Sequence, residues 1–233
     1  MSHEYTFPPA VVVGLWLNAA RSGAVSPTDA ANAIESITQQ IGIAIDGDVS
    51  GAKISSWLEL VRVAQSVNQP AATALPADGD PAGIPAGALA RIMRESGVVA
   101  IGSSLLLCQQ SNQFWILLAE PHKVIHYDLN QTRRSLTEEI ATATDQLSAS
   151  DLFGDESEIL DALEAFRALH LPPHLSKRSK DALELAARVI IVASGATASA
   201  IALHSPSIDR QKVQVLQKLI AQSRAVLQSV VMS

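Results

Sequence analysis

The 233-residue chain has a single cysteine, Cys108, and aromatic residues make up only 4% of it. One cysteine excludes an internal disulfide and a cysteine-based zinc site, and it favours a reducing, cytoplasmic location. Hydrophobic residues nevertheless make up 48% of the chain. The core must therefore consist mainly of Ala, Val, Leu and Ile, which favours helices packed closely through small side chains.

The chain also lacks the features of an exported or membrane-spanning protein. No basic segment precedes the apolar stretch at residues 11–17, which is too short for a signal anchor. The longest uncharged stretch, residues 189–203, is shorter than the roughly 20 residues that cross a bilayer. We therefore expect no membrane insertion.

Positive charge is in deficit. The chain has 17 Lys and Arg against 23 Asp and Glu, a net charge of −6, and the acidic excess lies within residues 1–150. A nucleic-acid backbone requires clustered cations. The first two predicted helices are spaced like a helix-turn-helix, but the second contains Asp29 and Glu35 and no Lys or Arg. We predict no nucleic-acid binding.

Motifs that carry known chemistry are missing as well. The sequence has no Gly-rich phosphate loop, no G-x-S-x-G, no H-E-x-x-H and no dinucleotide fingerprint. We therefore predict a non-catalytic protein-binding or chaperone-like protein that acts through helical surfaces, with no cofactor and no metal. The alternative is a small-ligand-binding protein or an enzyme whose site converges only in space.

The hydrophobic pattern is mixed up to residue 148 and helical afterwards. Before residue 148, helical periodicity alternates with three apolar runs, 98–109, 113–119 and 124–129, that predict an antiparallel meander. The Pro- and Gly-rich segment 68–87 predicts an exposed, mobile loop. The pattern indicates an α+β protein, with an antiparallel β-sheet of three or more strands covered by helices in residues 1–148 and a helical part in residues 149–233.

Local signals mark where several helices begin. Pro9 and Gly23 suit the start and end of a first helix, and Ser26 suits the cap of a second. The sequence Ser135-Leu136-Thr137-Glu138 has the form of a capping box and predicts a helix that begins there. A final helix after Pro206 carries apolar residues on more than one face. We take Val215, Leu219 and Val226 on this helix as a surface for a homodimer.

Two groups of polar residues are candidate sites. The first is a partner or anion patch before and within a predicted helix, where cations oppose the helix dipole and attract a negative ligand. It consists of His170, His174, Lys177, Arg178 and Lys180.

The second is an alternative pocket between the sheet and the C-terminal helices, formed by His126, Tyr127 and Asp128. A metal shared by His122 and His126 is disfavoured, because four residues along a strand separate side chains by roughly 13 Å. The acidic run that begins at Asp151 lacks the alternating pattern of a calcium loop and indicates a solvated helix face.

From about Leu15 to Leu147, the order of features resembles the first half of the actinobacterial type VII (ESX) secretion-associated chaperones. The resemblance rests on a helical pair and strand at Leu17–Ile45, two strands at Phe114–Asp128 and a helix at Leu136–Leu147. It implies a bacterial, non-catalytic cytosolic protein that binds a helical secretion substrate and keeps it soluble. The C-terminal part departs from the repeated α/β layout of that family, so no site residue is carried over.

Overall fold

The computed structural model describes residues 7–40, 44–49, 52–76, 81–84, 97–102, 105–110, 113–118, 125–147, 156–202 and 210–233. These residues form an α+β fold with a helical C-terminal part, which confirms the predicted fold class. The helices are α1 (Pro9–Arg21), α2 (Pro27–Gln40), α3 (Trp57–Ser66), α4 (Leu129–Gln146), α5 (Glu156–Arg167), α6 (Lys177–Ala202) and α7 (Arg210–Val231). The strands are β1 (Ala44–Val49), β2 (Ala52–Ile54), β3 (Ala72–Ala74), β4 (Val98–Ile101), β5 (Leu105–Gln110) and β6 (Gln113–Leu118).

The sheet has six strands in the order β2-β1-β6-β5-β4-β3. All neighbouring strands are antiparallel except β1 and β6, which are parallel. Two of the three runs predicted as a meander contain strands: the run 98–109 contains β4 and β5, with Gly102 at a φ of 65° after β4, and the run 113–119 contains β6. The predicted strand at 124–129 is wrong: residues 125–128 form no strand, and α4 begins at Leu129.

The prediction of an exposed loop at residues 68–87 is wrong for residues 71–76. Residues 72–74 form β3, which pairs with β4, and residues 71–76 are all buried. The segment is rich in alanine, and alanine carries little propensity signal for a strand. Tertiary pairing and burial therefore determine its structure.

Helix α1 lies between two hydrophobic cores, and its residues from Ala10 to Leu17 are all buried. Val13 and Leu17 belong to the core that α1 forms with α2, α3 and the sheet. Val11 and Leu15 belong to the core that α1 forms with the C-terminal helices. A helix that is apolar on all sides is typical of such a central position. It holds the two parts of the fold together.

The C-terminal part is built around α7, which packs against α4 and α6. Val215, Leu219 and Val226 are buried within the chain, with 5%, 7% and 0% of their surface exposed. The surface on which we based the homodimer is therefore already covered by α4 and α6. No described helix combines the length and the apolar character needed to span a bilayer.

Helix α4 starts earlier than predicted. Its N-cap is Asp128, whose side chain accepts a hydrogen bond from the backbone N–H of Gln131 at 2.8 Å. The capping box predicted at residues 135–138 is wrong, because Ser135 lies two turns inside the helix. As a result, α4 joins the helical part, although all of it precedes residue 148.

Candidate functional site

The first candidate site lies where α5 turns into α6. His170 and His174 belong to the connection between these helices, and Lys177, Arg178 and Lys180 lie in the first turn of α6. All five side chains are exposed. The structure therefore places the five predicted residues on one continuous stretch of surface, which we call the basic patch.

The backbone beneath the basic patch is held by capping bonds. Ser176 Oγ accepts a hydrogen bond from the backbone N–H of Ser179 at 3.0 Å and so caps α6. The Ser176 and Ser179 hydroxyl oxygens are 2.8 Å apart, and Ser179 Oγ lies 3.0 Å from Ser233 Oγ. These contacts join the start of α6 to the end of the chain after α7. They hold the backbone that carries Lys177, Arg178 and Lys180.

The connection between α5 and α6 is also attached to α1. The indole Nε1 of Trp16 donates a hydrogen bond to the backbone carbonyl of His170 at 3.0 Å. Phe7 and Phe166 contact each other with ring centroids 5.1 Å apart, and Leu175 is buried. The imidazoles of His170 and His174 thus project from a segment that is anchored on both sides.

The cations of the basic patch have no internal counterion within the described part of the chain. An ion pair does occur farther along α6, between Arg188 and Glu184. No such pair involves Lys177, Arg178 or Lys180, and the first turn of α6 contains no acidic residue. Three cations next to the positive end of a helix dipole repel one another, so this surface favours a negatively charged ligand.

The structure places the second candidate site directly before α4. His126 and Asp128 are exposed, and Tyr127 is half-buried. The Asp128 carboxylate accepts the hydrogen bond from Gln131, and its backbone carbonyl accepts one from the Thr132 hydroxyl at 3.0 Å. The capping of α4 is sufficient to explain Asp128.

Among the residues described, no cluster of three or more His, Cys, Asp or Glu side chains is arranged to hold a metal ion. His122, the second imidazole of the disfavoured pair, lies outside the described residues.

Sequence reasoning missed a set of polar side chains that bond to the backbone on either side of β3. Asn18 bonds to both backbone groups of Ala71, Gln228 Oε1 accepts from the Leu75 N–H at 3.3 Å, and Arg224 donates to the Pro76 carbonyl at 3.0 Å. An uncovered strand edge can pair with another chain. The signal in the sequence is a polar residue within an apolar helical run, as at Asn18 after Trp16-Leu17.

Comparison with known proteins found no match among curated proteins and none among solved structures. Two family models match the chain in succession. The N-terminal domain of the Rv1486c-like proteins matches residues 10–115, and their C-terminal domain matches residues 130–227. The interval between the matches ends at the start of α4, so the second match begins with the helical part. The chain therefore belongs to the Rv1486c-like proteins.

Proposed function

We propose that this chain is a non-catalytic protein-binding protein, and that an acidic segment of a partner protein docks on the basic patch. The observation that carries the proposal is the group of three exposed cations at the start of α6, without counterions in the described part of the chain and on an anchored backbone. The three charges are concentrated where the dipole of α6 adds positive potential.

The physical cost of this arrangement supports a binding role. A cation in the first turn of a helix is unfavourable by about 0.3–1 kcal/mol, because it opposes the helix dipole. Lys177, Arg178 and Lys180 all occupy that position. A carboxylate on the partner would relieve the repulsion between the cations. It would also interact favourably with the positive end of the α6 dipole.

Exposed charges of this kind influence recognition more than they influence affinity. They accelerate the encounter with an oppositely charged partner and reject partners of the same charge. Their effect falls as salt is added, since the screening length is only about 10 Å at 0.1 M ionic strength. Binding at the basic patch should therefore weaken steeply with ionic strength.

A helical secretion substrate is the more specific form of the proposal. It is supported only by the resemblance of residues 15–147 to the type VII secretion-associated chaperones, since the family matches concern the Rv1486c-like proteins. In that form, the protein keeps the substrate soluble in the cytoplasm. The basic patch would then receive an acidic turn of the substrate helix.

The test compares three forms of the full chain as bait in cytoplasm from the source cell. The patch variant is K177E/R178E/K180E, and the control variant is R21E/R62E/K218E, which makes the same change in net charge at exposed residues of α1, α3 and α7. The wild type and the control should retain the same partner, whereas the patch variant should lose it. Equal retention by all three forms would disprove docking at the patch.

A purified probe gives the affinity. A labelled Glu-rich helical peptide should bind the wild type and the control variant with equal affinity, and it should bind the patch variant at least about tenfold more weakly, a loss of roughly 1.4 kcal/mol. Glu replacements at the start of α6 favour the helix dipole, so the patch variant should remain folded. Circular dichroism checks this point.

A further inference from the structure

We infer that the basic patch has an occupant within this protein itself: the exposed acidic face of α5 from a second copy of the chain, in a twofold-symmetric dimer. The inference rests on the proposed function, because it names a ligand for the same basic patch. An acidic partner protein would then compete with the second copy for the patch.

The exposed face of α5 has the composition of a docking surface. Leu160 is 54% exposed, the greatest exposure of a large apolar side chain in the described part of the chain. Glu156 and Glu164 lie one turn before and one turn after it, and Asp161 is adjacent, all three exposed. An apolar centre with a charged rim is the usual arrangement of a protein interface.

The opposite face of α5 is occupied within the chain. Phe166 is buried, and Ile159, Ala162 and Leu163 pack against the core of the C-terminal helices. The helix is therefore fixed in orientation by its own chain, and its Leu160 face remains available at the surface.

The charges of α5 and of the basic patch are opposite in sign. The start of α6 has three exposed cations, and α5 has four exposed carboxylates, at Glu156, Glu158, Asp161 and Glu164. The chain as a whole carries a net charge of −6, so two copies repel each other unless opposite charges meet. Dimerisation through these two surfaces satisfies that requirement.

The order of the two surfaces along the chain favours a closed dimer. The residues between α5 and α6 are few, and α5 packs against α6 in its own copy. If α5 of one copy docks on the patch of its partner, a twofold axis lets the partner's α5 dock in return. Such an isologous contact closes at two subunits, whereas a one-way contact would extend into a chain of molecules.

This interface replaces the one predicted from the final helix. The homodimer predicted from Val215, Leu219 and Val226 has no free surface there, since these side chains are buried within the chain. The α5 surface differs from it in being mainly charged. We therefore expect a dimer that dissociates as salt rises from about 50 mM to about 500 mM.

The decisive experiment uses two charge-reversed variants of the full chain, analysed by sedimentation velocity over a dilution series. The first is K177E/R178E/K180E, and the second is E156K/D161K/E164K. Each variant alone brings like charges together and should be monomeric. Mixed in equal amounts they should form a heterodimer, because both contacts of the twofold interface are complementary again.

Two further variants separate the interface from effects on folding or net charge. R21E/R62E/K218E should dimerise like the wild type. L160A should weaken the dimer at least about tenfold, whereas I125A, at the exposed Ile125, should not. A wild type that is monomeric at low salt, or a mixture that remains monomeric, would overturn the inference.

The two proposals fail in different ways. The variant E156K/D161K/E164K retains the basic patch, so it should still bind the Glu-rich peptide when it is monomeric. A monomeric wild type that binds the peptide would refute the dimer alone. If every variant bound the peptide as the wild type does, and the wild type still formed the dimer, the proposed function alone would be refuted.

Discussion

The side-chain amide of Asn18 forms two hydrogen bonds with the backbone of Ala71, as a neighbouring strand would. Asn18 Nδ2 donates to the Ala71 carbonyl at 2.8 Å, and Asn18 Oδ1 accepts from the Ala71 N–H at 2.8 Å. Asn18 Nδ2 also donates to the Val231 carbonyl at 2.7 Å. One side chain thus covers the edge next to β3 and joins α1 to the end of α7.

Replacing Asn18 with alanine should lower the free energy of unfolding by about 2–4 kcal/mol, because buried backbone groups of Ala71 lose their partner. Urea unfolding measures the change. N32A is the matched control, since Asn32 is an exposed residue of α2 and the replacement has the same effect on helix propensity. Equal stabilities of N18A and N32A would show that the Asn18 bonds contribute nothing.

Gly14 permits the closest approach of α1 to its neighbours. A Cβ atom at this position would lie 2.7 Å from Thr73 Oγ1 and 2.8 Å from a methyl carbon of Val231. Replacing glycine with alanine inside a helix normally stabilises it by about 1 kcal/mol. Here the steric overlap should exceed that gain, and G14A should lower the free energy of unfolding by about 1–2 kcal/mol.

A double-mutant cycle separates the overlap from other effects. V231A removes one of the two obstructing side chains, so the cost of G14A should be smaller in the V231A background than in the wild type. Thermal or urea unfolding of the four proteins gives the coupling. A stabilising effect of G14A in the wild type would contradict the observed approach.

Periodicity and capping residues were sufficient to predict many of the helices. Pro9 begins α1, and Ser26 Oγ accepts from the Asp29 N–H at 3.1 Å at the start of α2, as expected. Strand β6 also lies within the run 113–119. These signals are local, so a sequence contains them completely. The grouping of the basic-patch residues could be predicted for the same reason, since all five lie within residues 170–180.

Other features depend on contacts that a sequence does not contain. Strand β3 exists because residues 72–74 pair with β4 and because Asn18 covers the adjacent edge. The start of α4 was misplaced because Ser135 and Asp128 both have capping side chains, and only packing decides between them. Burial of Val215 likewise depends on α4 and α6, which lie far from it in the chain.

Glu59 makes the stability of α3 depend on pH. The backbone N–H of Ser55, 2.7 Å from Oε2 of Glu59, holds the pKa of Glu59 below its ordinary value of 4.5. Desolvation raises the pKa, and hydrogen bonds from Ser56 lower it further. Because the folded-state pKa is lowered, the stabilisation is present above the unfolded value and is lost as the pH falls through the folded value. We expect the free energy of unfolding of E59Q to depend less on pH than that of the wild type between about pH 5 and pH 3.

NMR titration of the Glu59 side chain measures the pKa directly. S56A provides the comparison, because it removes the other half of the capping box and leaves the Ser55 N–H in place. S56A should therefore lower stability while the pKa of Glu59 stays below 4.5. A midpoint above that value in the wild type would refute this account of the capping box.

Ser223 and Ser229 form a matched pair of buried hydroxyls on α7. Ser223 is fully buried, and its hydroxyl has no hydrogen-bond partner within the described residues. Ser229 is 1% exposed, donates to the Val226 carbonyl at 2.7 Å and lies 3.1 Å from the Thr132 hydroxyl.

The two alanine replacements should have opposite effects. Both exchange a serine for an alanine inside the same helix, so the gain in helix propensity is equal and cancels in the comparison. S223A removes a polar group that lacks a partner and should raise the free energy of unfolding by about 1 kcal/mol. S229A breaks the link between α7 and α4 and should lower it by about 1 kcal/mol. Urea unfolding of both variants measures the difference; if S223A were as destabilising as S229A, the Ser223 hydroxyl would have to be bonded in the folded protein.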